Sequence, residues 1–108
     1  MLKSFGYAIA GLKAAFGQRN IKIQFCVGVT AIILAVTRRL TPERWAVVIV
    51  CIAVVLAAEC FNTAIEYLCD TLHPEYSEGI GKVKDISAAA VLVCSIGAAF
   101  AGIVVFFV

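Results

Sequence analysis

Five polar residues recur within one apolar stretch: Glu59, Asn62, Thr63, Glu66 and Asp70. A helix turns by about 100° per residue, which puts Asn62 about 60° to one side of Glu59, Thr63 about 40° to the other, and Glu66 and Asp70 within about 20°. All five therefore share one narrow face. The axial reach is roughly 10 Å from Glu59 to Glu66 and roughly 16 Å from Glu59 to Asp70. If this helix enters a membrane, an acidic residue at its centre costs roughly 2.5–3.5 kcal/mol, so the carboxylates must face protein or water. A stripe running from hydrocarbon depth out to the surface suits a site that joins a water-borne reagent to a lipid-borne one. The plainer alternative is a structural seam that holds helices together by hydrogen bonds.

A second group lies downstream, Gly79-Ile80-Gly81-Lys82-Val83-Lys84-Asp85. The two glycines allow a tight turn, and a glycine-rich turn entering a helix can cradle phosphate with Lys adding charge. The spacing is not that of a Walker A loop. A plain loop ahead of a helix is the competing reading. Five cysteines (Cys26, Cys51, Cys60, Cys69, Cys94) contain no C-x-x-C pair, and there is one histidine, His73, so no zinc site is predicted. These cysteines read as small apolar filler.

The elements that must carry these groups follow from hydropathy. Hydrophobic residues make up 63% of the 108, and charged residues 15%. Ordinary soluble domains run at about 45–50% and about 25%, so a water-soluble monomer is excluded. The net charge of +2, without a basic stripe, gives no footing for nucleic-acid binding. Uncharged runs extend over Ile23–Thr37, Trp45–Ala58 and Ile86–Val108. A span needs about 20 mostly apolar residues. The last run meets that outright, and the first does with Lys22 snorkelling. The second does only by continuing through Glu59 and Glu66. The expected spans are about 21–38, 43–70 and 84–108. Thr41-Pro42-Glu43 starts the second, with Thr as N-cap, Pro in the first turn and an acid at the positive end.

Ahead of them, Leu2, Phe5, Ile9, Leu12 and Phe16 step by three and four and build one apolar stripe. Residues 2–17 read as an amphipathic helix in the membrane interface, or as a helix packed on a partner subunit. The N-terminus lacks the pattern of a signal peptide. Lys3, Lys13, Arg19, Lys22, Lys82 and Lys84 fall on one side of the membrane, against three arginines on the other. The more basic side is expected to be cytoplasmic. Small residues at Ser87–Ala90 and Gly97–Gly102 allow close helix approach. The expected fold is an all-α integral membrane protein of three spans plus a surface helix, forming one domain over 1–108.

The run Glu59-Cys60-Phe61-Asn62-Thr63-Ala64-Ile65-Glu66, then Asp70, Pro74-Glu75-Tyr76, and Lys84-Asp85-Ile86-Ser87-Ala88-Ala89-Ala90-Val91 resembles the prokaryotic diacylglycerol kinase family, which includes the undecaprenol kinases of Gram-positive bacteria. The likeness extends over nearly the whole chain, including Gly6-Tyr7 and Gly11-Leu12-Lys13. It implies a homotrimer in the bacterial cytoplasmic membrane, with its active site on the cytoplasmic side. It implies transfer of the γ-phosphate of ATP, with Mg²⁺, to a membrane lipid, either undecaprenol or diacylglycerol. By the resemblance Glu59 is the general base, Glu66 a magnesium ligand and Asn62 the neighbour that organises them. Lys84 and Asp85 contact phosphate, Glu75, Tyr76 and Ser77 form the nucleotide-contacting loop, and Tyr7 lies near the adenine. One position departs: where many members carry a second metal-binding glutamate, this chain has Gln18. A neutral amide is a poorer Mg²⁺ ligand, although Gln18 could hydrogen-bond a metal-bound water. The short spans do not close a cleft alone, so a site shared between subunits is expected. Two other classes fit the composition: a small oligomeric transporter or exporter using an intramembrane Glu, and a catalytically inactive member of the same family.

Overall fold

The computed structural model describes residues 1–108. Four helices follow one another: α1 (Leu2–Phe16), α2 (Arg19–Thr37), α3 (Pro42–Leu72) and α4 (Glu78–Phe107). The last three are long and apolar enough to cross a membrane. Only 12 of the 108 residues are buried. That is too few for a water-soluble globule, so lipid or neighbouring chains must cover the apolar surface. The chain is a multi-pass membrane protein. It is broad and thin, with principal extents of 50 × 36 × 21 Å.

Local chemistry sets the boundaries. α1 ends at Gly17, which keeps right-handed torsions (φ −68°); the break comes at Gln18, which is extended. The apolar stripe of α1 stays open at Leu2, Phe5, Ile9 and Leu12, while Phe16 packs edge-on against Phe25 of α2 at 5.3 Å. α3 starts as its sequence predicts: the Thr41 hydroxyl accepts from the Arg44 amide, and Pro42 opens the first turn. At 31 residues, α3 is about 46 Å long. This exceeds a hydrocarbon core of about 30 Å, and it leaves the end bearing Glu66 and Asp70 room to emerge.

α4 departs from expectation. It begins at Glu78, six residues before the expected 84, and the connection from α3 is only His73–Ser77. Gly79 and Gly81 therefore lie in the first turns of a helix, and neither has a positive φ. The predicted glycine turn is absent because Ser77 caps the helix, its hydroxyl accepting from the Ile80 amide at 3.2 Å, and Glu78 meets the positive end of the dipole. Gly81 has a packing use instead: a Cβ there would sit 3.0 Å from the Tyr76 phenol oxygen.

α4 packs along α3 more extensively than α2 does, and α1 touches α2 and α3. Gly28 lets α2 approach α3 closely, since a Cβ there would meet Ile52 at 3.3 Å. At the opposite end from Lys84, two guanidinium groups hold α4, one from the α2–α3 connection and one from the first turn of α3. Arg38 donates to the Phe106 carbonyl and lies 4.9 Å over the Phe107 ring; Arg44 donates to the Val105 carbonyl at 2.6 Å. Both satisfy carbonyls that a helix end leaves free. Arg39 beside them is the one non-glycine residue with positive φ, at 52°.

Candidate functional site

Along α3 the acidic stripe is graded by depth. Glu59, Asn62 and Thr63 are buried, Glu66 is half-buried and Asp70 is exposed. Helical spacing puts them on one face, and that face turns toward protein rather than outward. The Gln24 side-chain amide on α2 lies beside the Glu59 carboxylate. Asn62 donates from Nδ2 to Glu66 Oε1 at 3.0 Å. Glu66 in turn is close enough to act electrostatically on both Glu59 and Lys84. Lys84 reaches across from α4 to Asp70, Nζ to Oδ1 at 2.6 Å. One chain thus brings three carboxylates, two side-chain amides and an ammonium together along the α3–α4 pair.

The remaining predicted residues stand at different distances from this centre. Gln18 arrives beside it by donating from Nε2 to the Tyr67 hydroxyl at 3.3 Å, next in sequence to Glu66. Ser77 caps α4 within the loop that also holds Glu75 and Tyr76. His73 Nδ1 lies 2.6 Å from the Glu75 carbonyl oxygen, and the Tyr76 ring covers Gly81. Asp85 is exposed beside Lys84, without a hydrogen-bond or ion-pair partner. Tyr7 on α1 is 74% exposed and is not gathered with the carboxylates.

Two neighbours, Gln24 and Tyr67, and one pairing, Lys84 with Asp70, were not singled out beforehand. Gln24 carried a signal, being an isolated large polar residue inside the first apolar run. Asp70 was part of the stripe, but its pairing with Lys84 depends on α4 starting early. Tyr67 gave none, because a tyrosine near a membrane surface is ordinary.

No cluster of three or more His, Cys, Asp or Glu side chains is present that could enclose a metal. Mg²⁺ dehydrates reluctantly and binds through one or two carboxylates together with substrate phosphates, so the half-buried Glu66 is a carboxylate that could hold it. Gln18 offers a neutral oxygen nearby, its amide nitrogen engaged by Tyr67.

Comparison with known proteins identifies the family. The family model described as "Prokaryotic diacylglycerol kinase" matches residues 6–106. The "Diacylglycerol kinase" of Escherichia coli (strain K12) is 32% identical over 97 residues, covering 89% of this chain and 80% of the relative. That of Haemophilus influenzae is 28% identical over 110 residues, covering 98% and 92%. With the match running from α1 to the last turn of α4, the chain belongs to the prokaryotic diacylglycerol kinase family and is a membrane lipid kinase of that kind.

Proposed function

We propose that this protein transfers the γ-phosphate of ATP to the hydroxyl of a membrane lipid alcohol, undecaprenol or diacylglycerol, at the cytoplasmic face of a bacterial membrane. The observation that carries this reading is the Glu59–Asn62–Glu66 stripe, buried at one end and open at the other, facing Lys84. Phosphoryl transfer depends on positioning and charge neutralisation more than on covalent chemistry; the stripe supports the first and Lys84 the second.

Glu59 takes the proton of the lipid hydroxyl as its oxygen bonds to the γ-phosphorus. The bond from that phosphorus to the β–γ bridging oxygen breaks, and the electron pair leaves with ADP. Gln24 holds the Glu59 carboxylate in place. Glu66 is the ligand for Mg²⁺, which would supply charge neutralisation at the phosphates. Asn62 fixes Glu66 through the 3.0 Å bond. Lys84, 38% exposed at its side chain, exchanges Asp70 for phosphate oxygens. Asp85, Tyr7, Glu75, Tyr76 and Ser77 complete the nucleotide contacts. The active form is a homotrimer, and the chain acts as one domain. The Pro74-Glu75-Tyr76 loop favours undecaprenol as acceptor.

The deciding assay uses purified protein, radiolabelled ATP, Mg²⁺ and each lipid in micelles. Labelled undecaprenyl phosphate or phosphatidic acid is the expected product. Folded protein that labels neither lipid removes the reading.

A further inference from the structure

Three arginines crowd the end of the molecule opposite Lys84: Arg38 and Arg39 after α2, and Arg44 in the first turn of α3. Two of them are fixed. Arg38 donates to the Phe106 carbonyl and Arg44 to the Val105 carbonyl. These acceptors belong to consecutive residues, so the two guanidinium groups are held close together against the end of α4. Arg39 follows Arg38 directly. Its backbone is left-handed at φ 52°, and its exposed side chain forms no ion pair.

Holding α4 accounts for only part of this cluster. A guanidinium carries several N–H donors, and Arg38 and Arg44 each spend only Nη1 on α4. No carboxylate offsets the charge. Glu43, the one acid in this stretch, pairs with none of the three, since the chain's ion pair is Lys84 with Asp70. Fixing like charges side by side is unfavourable unless an anion lies between them. Membrane orientation does not call for them either, because the basic side is the other one.

The depth of the cluster identifies the anion. Trp45, next to Arg44, is half-buried, and tryptophan is enriched where membrane meets water. The Phe107 ring lies 4.9 Å from the Arg38 guanidinium and is 71% exposed. Cations beside uncovered aromatic rings fit the headgroup layer. There lipid phosphate is the abundant anion, and a guanidinium can bond two of its oxygens at once. A second copy of this chain would bring the same positive charge and be repelled.

We propose that Arg38, Arg39 and Arg44 form a binding site for the phosphate of an anionic phospholipid in the leaflet at this end, with its acyl chains beside Phe107. The site is roughly 33 Å from Lys84 along α4. Its lipid is held and not phosphorylated, so the inference goes beyond the kinase reading and does not depend on it.

Trp45 is the only tryptophan, so its fluorescence reports on this end of the molecule. The test reconstitutes the full chain in mixed bilayers of phosphatidylcholine and phosphatidylglycerol, with bromine near the top of the acyl chains of one lipid or the other. Brominated phosphatidylglycerol should quench Trp45 more than brominated phosphatidylcholine at the same mole fraction. Arg39→Gln, which removes no contact within the protein, should lower that preference about fivefold. Lys3→Gln with Lys13→Gln, on α1, should leave it unchanged, and so should excess inorganic phosphate. Equal quenching by the two lipids, a preference untouched by Arg39→Gln, its loss in the α1 double variant, or displacement by inorganic phosphate would each overturn the site.

Discussion

Glu59 and Glu66 are the same residue type seven positions apart, yet depth gives them different surroundings, which is why the proposed function assigns them different tasks. Glu59 has Gln24 for company, whereas Glu66 has Asn62, the field of Lys84 and access to water. Glu59→Gln removes the proton acceptor and keeps the shape. Lipid phosphorylation should fall by at least about 10²-fold, while nucleotide binding, read by calorimetry, persists. Lys84→Ala should instead weaken nucleotide binding itself. The ion pair that Lys84 makes with Asp70 is short but open to solvent, with side chains 38% and 63% exposed. Exposed pairs contribute about 0–1 kcal/mol, so Asp70→Asn should shift thermal unfolding in detergent only slightly. At this scale the acidic stripe was legible from spacing alone. The Gln18–Tyr67 bond was not, because it joins residues 49 positions apart and spacing along one helix says nothing about contacts between two.

Helix ends decide what each element delivers. The start of α3 could be read from Thr41-Pro42-Glu43, since N-cap, first-turn Pro and acid all agree. The start of α4 was misjudged because Gly79 and Gly81 signal turns. Each glycine costs about 1 kcal/mol in a helix, but Ser77 and Glu78 nucleate it ahead of them. The early start adds two turns before Asp85 and directs Lys84 at α3. The far end of α4 is held by Arg44, so Arg44→Ala should destabilise the protein by about 1–2 kcal/mol. Hydrogen exchange should quicken through the last turn of α4. Between α2 and α3, even a Cβ on Gly28 would press on the Ile52 side chain at 3.3 Å. Gly28→Leu should cost about 1–3 kcal/mol by forcing the helices apart, measured as a lowered Tm in detergent. Nothing in the sequence ties Gly28 to Ile52, since the pairing of helix faces is a tertiary outcome.

The whole molecule is a thin layer of helices with most of its apolar residues uncovered. Hydropathy alone made that environment legible, while the division of labour between subunits lies beyond any one chain's sequence. Glu66, Asn62 and Lys84 gather within a single chain, whereas Tyr7 stands apart on α1. Mixed oligomers of Glu66→Gln and Lys84→Ala subunits should therefore recover no activity beyond that of either variant alone. Mixtures of Tyr7→Ala with Glu66→Gln should recover a measurable fraction, as expected if α1 serves a neighbour's nucleotide. Recovery in the first mixture and none in the second would reverse the assignment.

The guanidinium pair at Phe106 and Val105 has a dynamic consequence. Because α4 is pinned at that end, a tilt of the helix hinges there. Lys84 lies roughly 33 Å from Phe106 along the axis, so a tilt of about 5° swings it by about 3 Å. A modest rocking of one rod, fastened at the far leaflet, is enough to part Lys84 from Asp70 and present it to an incoming phosphate.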